Sequence, residues 1–158
     1  MKKMLVLLLT LLISATCIHA LADISTEATY ESGDFGYNLL KDGTAEIARY
    51  YGGDGELVIP STLDGIPVTT IGYSAFTDTY VGQVTIPTSV TTIEDRAFAY
   101  CFYLTRVIIP DSVTIIGSGA FRESSNLTSI VVGRDSYARQ FCIEHNLPYT
   151  YTNDVTAK

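Results

Sequence analysis

The sequence predicts a mainly β fold: a short solenoid of three to four stacked turns, closed by a β-hairpin at its start and a helix at its end. Three observations lead there. A phrase recurs in register, as Val84-Thr-Ile-Pro-Thr-Ser-Val-Thr-Thr-Ile-Glu-Asp-Arg-Ala-Phe98 and Val107-Ile-Ile-Pro-Asp-Ser-Val-Thr-Ile-Ile-Gly-Ser-Gly-Ala-Phe121, with an earlier copy between Leu57 and Phe76. Its Ala-Phe pairs end at Phe76, Phe98 and Phe121, a period of about 22 to 23 residues that falls in the range of stacked repeat architectures. Within each copy, short β-branched runs alternate with turn chemistry, and the same kind of apolar residue returns at the same place.

The hairpin comes first. Asn38-Leu39-Leu40 and Ala45 to Ala48 are strand-like and flank Lys41-Asp42-Gly43, and an Asp-Gly step favours a tight hairpin turn. A cap of residues 34–56 is expected to cover the open end of the core, with residues 23–33 before it polar and loose. The repeats occupy 57–133. Val107-Ile108-Ile109 reads as a strand stopped by Pro110, which lacks the N–H a central ladder needs. Asp111-Ser112 is a turn, Val113 to Ile116 a second strand, and Gly117 to Gly119 another turn.

Stacking these copies predicts five ladders: Leu57, Val84, Val107, Ile130; Ile59, Ile86, Ile109, Val132; Val68, Val90, Val113; Ile71, Ile93, Ile116; and Phe76, Phe98, Phe121. A single copy buries none of them, whereas a stack makes one continuous core. The first copy is longer between Pro60 and Ile71 than the later ones, which places an inserted loop around Leu63-Asp64-Gly65-Ile66-Pro67. A half-copy beginning at Leu127 ends the phrase. Residues 134–152 then form the closing cap, a helix over Tyr137 to Asn146 stopped at Leu147-Pro148, with Tyr149-Thr150-Tyr151 as a last short strand. Residues 153–158 are a polar tail.

The phrase Ile-Pro, then Val, then Ile-Gly or Ile-Glu, then Ala-Phe, then Leu104 or Leu127 resembles the BspA-like leucine-rich repeat of bacterial surface and secreted proteins. Cys101 stands where that family often carries cysteine. The lead-in from Asp34 to Ile47 and the ending from Ser136 to Tyr149 resemble the caps seen around such repeats. Glu94 departs from the Gly at 72 and 117, and Thr79 and Ser124 replace cysteine. The resemblance spans Asp34 to Tyr151 and implies extracellular binding, often adhesion, with no catalytic residues to carry over.

The 158-residue sequence begins with Lys2-Lys3, an apolar run from Met4 to Ala15 and Ala20-Leu21-Ala22. This is the pattern of a signal peptide over 1–22 with cleavage before Asp23, and it implies a secreted or cell-surface protein. A competing reading is a lipid anchor at Cys17, although Thr16 stands where a small residue is wanted. The apolar run is too short for a comfortable membrane span. Leu147-Pro148-Tyr149-Thr150 is only a chance likeness to a cell-wall sorting signal.

The formal net charge is −7, and it is unevenly spread. Asp23 to Asp95 carries 12 acidic residues against Lys41 and Arg49. Without a basic patch, nucleic acid and anionic membranes are poor partners.

No catalytic, cofactor-binding or metal-binding residues emerge. His145 stands on the cap helix with no nucleophile paired to it. Zinc needs three or four ligands at suitable spacing. Asp42-Gly43, Asp54-Gly55 and Asp64-Gly65 lack the rest of a calcium loop. Gly52-Gly53-Asp54-Gly55 lacks the Lys-Ser/Thr of a phosphate loop. Asn126-Leu127-Thr128 matches a glycosylation sequon that matters only in a glycosylating host. Cys101 and Cys142 read as small buried residues, a disulfide between them being the alternative.

The candidate partner-binding surface is the strand face opposite the core: Val58, Thr85, Ile108 and Val131 as a central outward ladder, flanked by Gln83, Arg106 and Ser129. Three of the four central residues are apolar, and exposed apolar patches often mark interaction sites. The leading function is therefore a monomeric, non-catalytic module binding an extracellular protein. A second reading is a carbohydrate-binding envelope protein, with Tyr80, Tyr100, Phe102 and Tyr103 at the repeat turns as stacking platforms. A structural spacer with no ligand is a third.

Overall fold

The computed structural model describes residues 28–152; the expected signal peptide, the Cys17 alternative and the 153–158 tail lie outside them. The chain opens as an antiparallel meander of β1 (Tyr30–Ser32), β2 (Phe35–Leu39) and β3 (Ala45–Tyr50). The second turn is held by the Asp42 carboxylate, which accepts from the Thr44 amide at 3.0 Å and hydroxyl at 2.7 Å. Gly43 supplies the left-handed residue at φ 85°.

β1 corrects the expectation that residues 23–33 are loose throughout. Tyr30 stacks on Tyr37 at 5.3 Å, and Ser32 pairs with Phe35 across a two-residue turn. Short polar strands form when a neighbour supplies an edge and a ring to pack on.

The cap does more than cover the core. β3 runs parallel to β6 (Ile66–Ile71), with Ile47 opposite Ile71, so the hairpin continues the stack. The other strands are β4 (Gly55–Val58), β5 (Thr62–Leu63), β7 (Val81–Thr85), β8 (Thr92–Ile93), β9 (Arg106–Ile108), β10 (Ile115–Ile116), β11 (Ser129–Val132) and β12 (Tyr149–Tyr151), with helix α1 (Tyr137–Glu144) before the last.

Two sheets result. One has the order β1-β2-β3-β6-β8-β10, with β5 paired to β6, and the other β12-β11-β9-β7-β4. The second sheet is parallel throughout. Its five strands mark about five turns, more than the three to four the recurring phrase shows, because β12 of the closing cap adds one.

The predicted ladders are the core. Val84 pairs with Leu57 and Val107, and Val107 with Ile130. Val68, Val90 and Val113 are fully buried, as are Ile59, Ile86, Ile109 and Val132. Leu57, on the end strand, is only partly buried. The amides of Ile59, Ile86 and Ile109 each donate to the next strand, to Thr85, Ile108 and Val131 oxygens at 3.0–3.1 Å. The proline that follows each has no N–H to give, so the strand ends there. In the two later repeats the second strand is shorter than its β-branched run, Thr92–Ile93 and Ile115–Ile116, the latter rather than Val113 to Ile116.

Down the middle runs an aromatic spine. Phe76 and Phe98 stack at 4.9 Å, and Phe98 and Phe121 at 5.5 Å. Both caps extend it. Tyr50 stacks on Phe76 at 5.2 Å and Phe141 meets Phe121 edge-on at 6.5 Å. Each buried side chain of this size adds roughly 1.5–3 kcal/mol over exposure, and the stacked pairs about 0.5–1.5 kcal/mol more.

The insertion in the first repeat is a hairpin rather than an irregular loop. Leu63 pairs with Ile66 across Asp64-Gly65, both at positive φ, the arrangement an Asp-Gly turn favours. The Asp64 carboxylate accepts from Ser32 Oγ at 2.7 Å and from the Tyr37 hydroxyl at 3.1 Å, tying the insertion to the cap. Burial, then this bond and the Asp64 charge, push the Tyr37 phenol above its ordinary range.

At the other end Ser136 Oγ caps α1 by accepting from the Arg139 amide at 3.1 Å. Ala138, Phe141 and Cys142 face the core. The helix ends at Glu144, two residues short of the expected Asn146, because Asn146 turns left-handed at φ 53°.

Candidate functional site

The outward face of the parallel sheet is set by strand alternation. Val58 pairs with Thr85, Thr85 with Ile108, Ile108 with Val131 and Val131 with Thr150, forming one ladder. Glu56, Gln83, Arg106 and Ser129 form the second. The structure thus brings together all seven predicted residues. Two further residues in register on this face escaped the sequence reading, Glu56 and Thr150. Glu56 precedes Val58 by the same offset as Gln83 precedes Thr85, and that offset alone would have found it.

Exposure along the central ladder is graded. Val58 is 72 % exposed, Thr85 and Ile108 are half-buried, and Val131 is 2 % exposed. Val131 is therefore a correction: it lies on the predicted face but is not available to a partner. Val58 stands on the end strand with a neighbour on one side only, whereas Thr85, Ile108 and Val131 are each flanked on both sides. The apolar area is smaller than three outward aliphatic residues suggest.

The polar ladder is partly engaged within the fold. Gln83 Nε2 donates to Glu56 Oε1 at 3.0 Å, and the hydroxyls of Ser129 and Thr150 lie 2.8 Å apart. Arg106 is half-buried beside them. This face offers amide, guanidinium, carboxylate and hydroxyl groups beside two accessible aliphatic side chains, Val58 and Ile108.

A concavity lies at the turns after the aromatic spine, a groove of about 480 Å³ lined by Asp78, Thr79, Tyr80, Tyr100, Phe102, Tyr103 and Asn126. It gathers the four aromatic residues singled out in the sequence and adds Asp78 and Asn126. Tyr80, Tyr103 and Asn126 each stand just before an inward residue, Val81, Leu104 and Leu127, so they form a ladder at one place in successive turns. Tyr80 and Tyr103 sit 5.2 Å apart, and Tyr100 meets Phe102 edge-on at 6.4 Å.

Cys101 and Cys142 are free and buried. Cys101 Sγ lies 3.0 Å from the Phe76 oxygen, and Ser124 Oγ donates to the Phe98 oxygen at 2.6 Å. Cys101 and Ser124 thus bridge their turn to the one before, whereas Thr79 Oγ1 donates within its own turn, to the Phe76 oxygen at 2.8 Å. Burial pushes the Cys142 thiol up to about 11 and raises Cys101 too, so neither is a ready nucleophile. His145 stacks on Phe141 at 4.1 Å and its Nδ1 lies 3.0 Å from the Phe141 oxygen, a role in closing the helix. Among the described residues no three His, Cys, Asp or Glu side chains are grouped to hold a metal ion, and no helix is long and apolar enough to cross a membrane.

Comparison with known proteins agrees with this architecture. Residues 56–146 match the family described as BspA type leucine rich repeat region, 6 copies. A leucine rich cell surface protein from Faecalibacterium prausnitzii shares the fold at TM-score 0.59 with 26 % identity, over 80 % of this chain and 43 % of that one. A leucine-rich repeat protein from Bacteroides capillosus is 32 % identical over 67 % of this chain and 72 % of its own, at TM-score 0.45. The chain thus spans less than half the length of the Faecalibacterium protein. No curated protein sequence matched. With the match covering more than half of the residues, and the ladders, spine and caps in register around it, the chain belongs to the BspA-type leucine-rich repeat family.

Proposed function

We propose that this protein is a non-catalytic binding module acting outside the cell, at or near a bacterial surface, and that it holds an extracellular protein against the outer face of its parallel sheet. The observation that carries the reading is the register of that face. Two side-chain ladders, Glu56-Gln83-Arg106-Ser129 and Val58-Thr85-Ile108, are fixed on a rigid backbone. Preset side chains lose little freedom on docking, which favours affinity. Family membership and the surface protein among the structural neighbours support the address. Export is supported by the leader-like first 22 residues, and protein recovered from culture medium is expected to begin at Asp23.

The reading needs no cofactor and a single copy of the chain. It is tested with an array of extracellular matrix and cell-surface proteins probed with the exported protein and with Ile108→Glu. Ile108 is only half-buried on the outward face, so the variant is expected to fold, by circular dichroism, and to lose the captured partner. Arg106→Ala is expected to weaken capture less. A folded Ile108→Glu protein with unchanged affinity overturns the assignment.

A further inference from the structure

We propose that the groove at the turns is a second binding site, and that its ligand is a neutral oligosaccharide. It stands apart from the sheet face and does not depend on that face binding a protein.

The argument begins with what holds the groove open. Asp78 and Tyr100 take the left-handed backbone conformation at φ 60° and 58°. Each occupies the second place after a spine phenylalanine. That turn directs the chain outward before it re-enters the core at Val81 or Leu104, and both of those are buried. The amide of Tyr100 donates to the Arg122 oxygen at 2.8 Å, and Thr79 Oγ1 to the Phe76 oxygen at 2.8 Å. Asn126 Nδ2 donates to the Phe102 oxygen at 2.6 Å. The walls are thus built from repeat backbone rather than from a free loop.

The chemistry of the lining then selects the ligand. Tyr80, Phe102 and Tyr103 are 61 %, 49 % and 58 % exposed. Rings of this size normally bury most of their area, so three exposed in one groove form an aromatic platform. Aromatic faces suit the C–H faces of pyranose rings. Beside the rings stand acceptors. The Asp78 carboxylate accepts no hydrogen bond from the described residues, and Asn126, anchored through its Nδ2, keeps its Oδ1 to accept another. The hydroxyls of Tyr80, Tyr100 and Tyr103 can both donate and accept. A few fixed polar groups among aromatic walls, in a volume within the range of about 300–1,000 Å³, describe a small-ligand site.

The lining also disfavours the rivals. A purely apolar ligand leaves the carboxylate and amide unpaired on burial. An anion meets Asp78. A quaternary ammonium group needs rings closing round it, and here two ring pairs spread along an open groove. The direction of the Tyr80-Tyr103-Asn126 ladder, one residue from each successive turn, fits a linear chain of sugars running along the stack.

The test is an array of cello-, chito-, manno- and mucin-type oligosaccharides probed with the exported protein. It is followed by titration of the strongest binder with amide shifts read by NMR. Binding is expected on at least one neutral series, with shifts confined to residues 78–80, 100–103 and 126. Tyr80→Ala with Tyr103→Ala is expected to weaken it by at least about tenfold, a loss of the size that removing ring contacts produces. Asp78→Asn is expected to weaken it less, and Ile108→Glu to leave it unchanged. No neutral glycan bound, binding that persists in the folded double tyrosine variant, or choline bound in place of sugar each overturns the proposal. Sugar binding lost in Ile108→Glu places the site on the sheet face instead.

Discussion

Phe98→Ala is the sharpest probe of how this fold is held together. Phe98 is fully buried and is the centre of the spine, stacked on Phe76 at 4.9 Å with 19° between planes and on Phe121 at 5.5 Å with 5°. Truncating a buried phenylalanine costs about 3–5 kcal/mol through lost transfer energy and a residual cavity. Here two ring pairs go as well, and the turns above and below are held apart by repeat backbone, since the Phe98 amide donates to the Ala120 oxygen at 2.8 Å. The cavity therefore cannot collapse readily, and the upper end of the range applies. A domain is stable by only about 5–15 kcal/mol, so the loss is a large share of the total. Stacked repeats are also coupled to their neighbours alone, so weakening the central turn is expected to separate the two halves of the unfolding transition. Urea unfolding followed by far-ultraviolet circular dichroism and tyrosine fluorescence is the assay. The expected result is a midpoint far below wild type, with the two signals no longer coincident. Phe121→Ala, at a position 6 % exposed and flanked by an edge-on ring on one side, is expected to cost less. A Phe98→Ala loss under about 1 kcal/mol would refute the reasoning, because it would mean that the spine is not a packed unit.

The other predictions concern single positions. Val131→Glu is expected to destabilise the fold by about 3 kcal/mol or more, since it buries an unpaired charge, while Val58→Glu on the end strand is expected to leave the melting temperature nearly unchanged; equal melts for the two would contradict the graded exposure of the face. Glu46 is half-buried, and that burial, with Glu94 nearby, raises its carboxyl pKa. The native state then keeps its proton to higher pH than the unfolded chain, so this contribution is present at low pH and lost as pH rises through the folded value. Glu46→Gln is accordingly expected to be more stable than wild type at neutral pH, with the difference closing below the ordinary glutamate range; a gap that widens on acidification would reverse the sign. Glu123 takes the left-handed conformation at φ 57° on an exposed turn, so Glu123→Gly is expected to raise stability by up to about 1 kcal/mol, the strain relieved exceeding glycine's extra unfolded entropy. An unchanged or lower chemical-unfolding midpoint would show that the turn carries no such strain.

What the sequence by itself determined was everything that repeats. A solenoid places the same side chain at the same height in each turn. Spacing alone therefore assigned Val84, Val107 and Ile130 to one ladder and Phe76, Phe98 and Phe121 to another. Prolines 60, 87 and 110 marked the strand ends for the same local reason in every copy, a missing donor. The tertiary structure decided what happens where the repeat is broken. Tyr50 and Ile47 continue the ladders from outside the phrase, because β3 joins β6 in parallel after leaving an antiparallel hairpin, a switch no local pattern announces. Residues 30–32 became a strand because Tyr37 and Phe35 offered an edge and a ring. Alternation alone put Val131 on the outward face, yet it is enclosed while Val58, on the end strand, is open, a difference that the direction of a side chain does not set. The groove has the same origin. Tyr80, Tyr103 and Asn126 are far apart in the chain, and only stacking of the turns sets them side by side with Asp78.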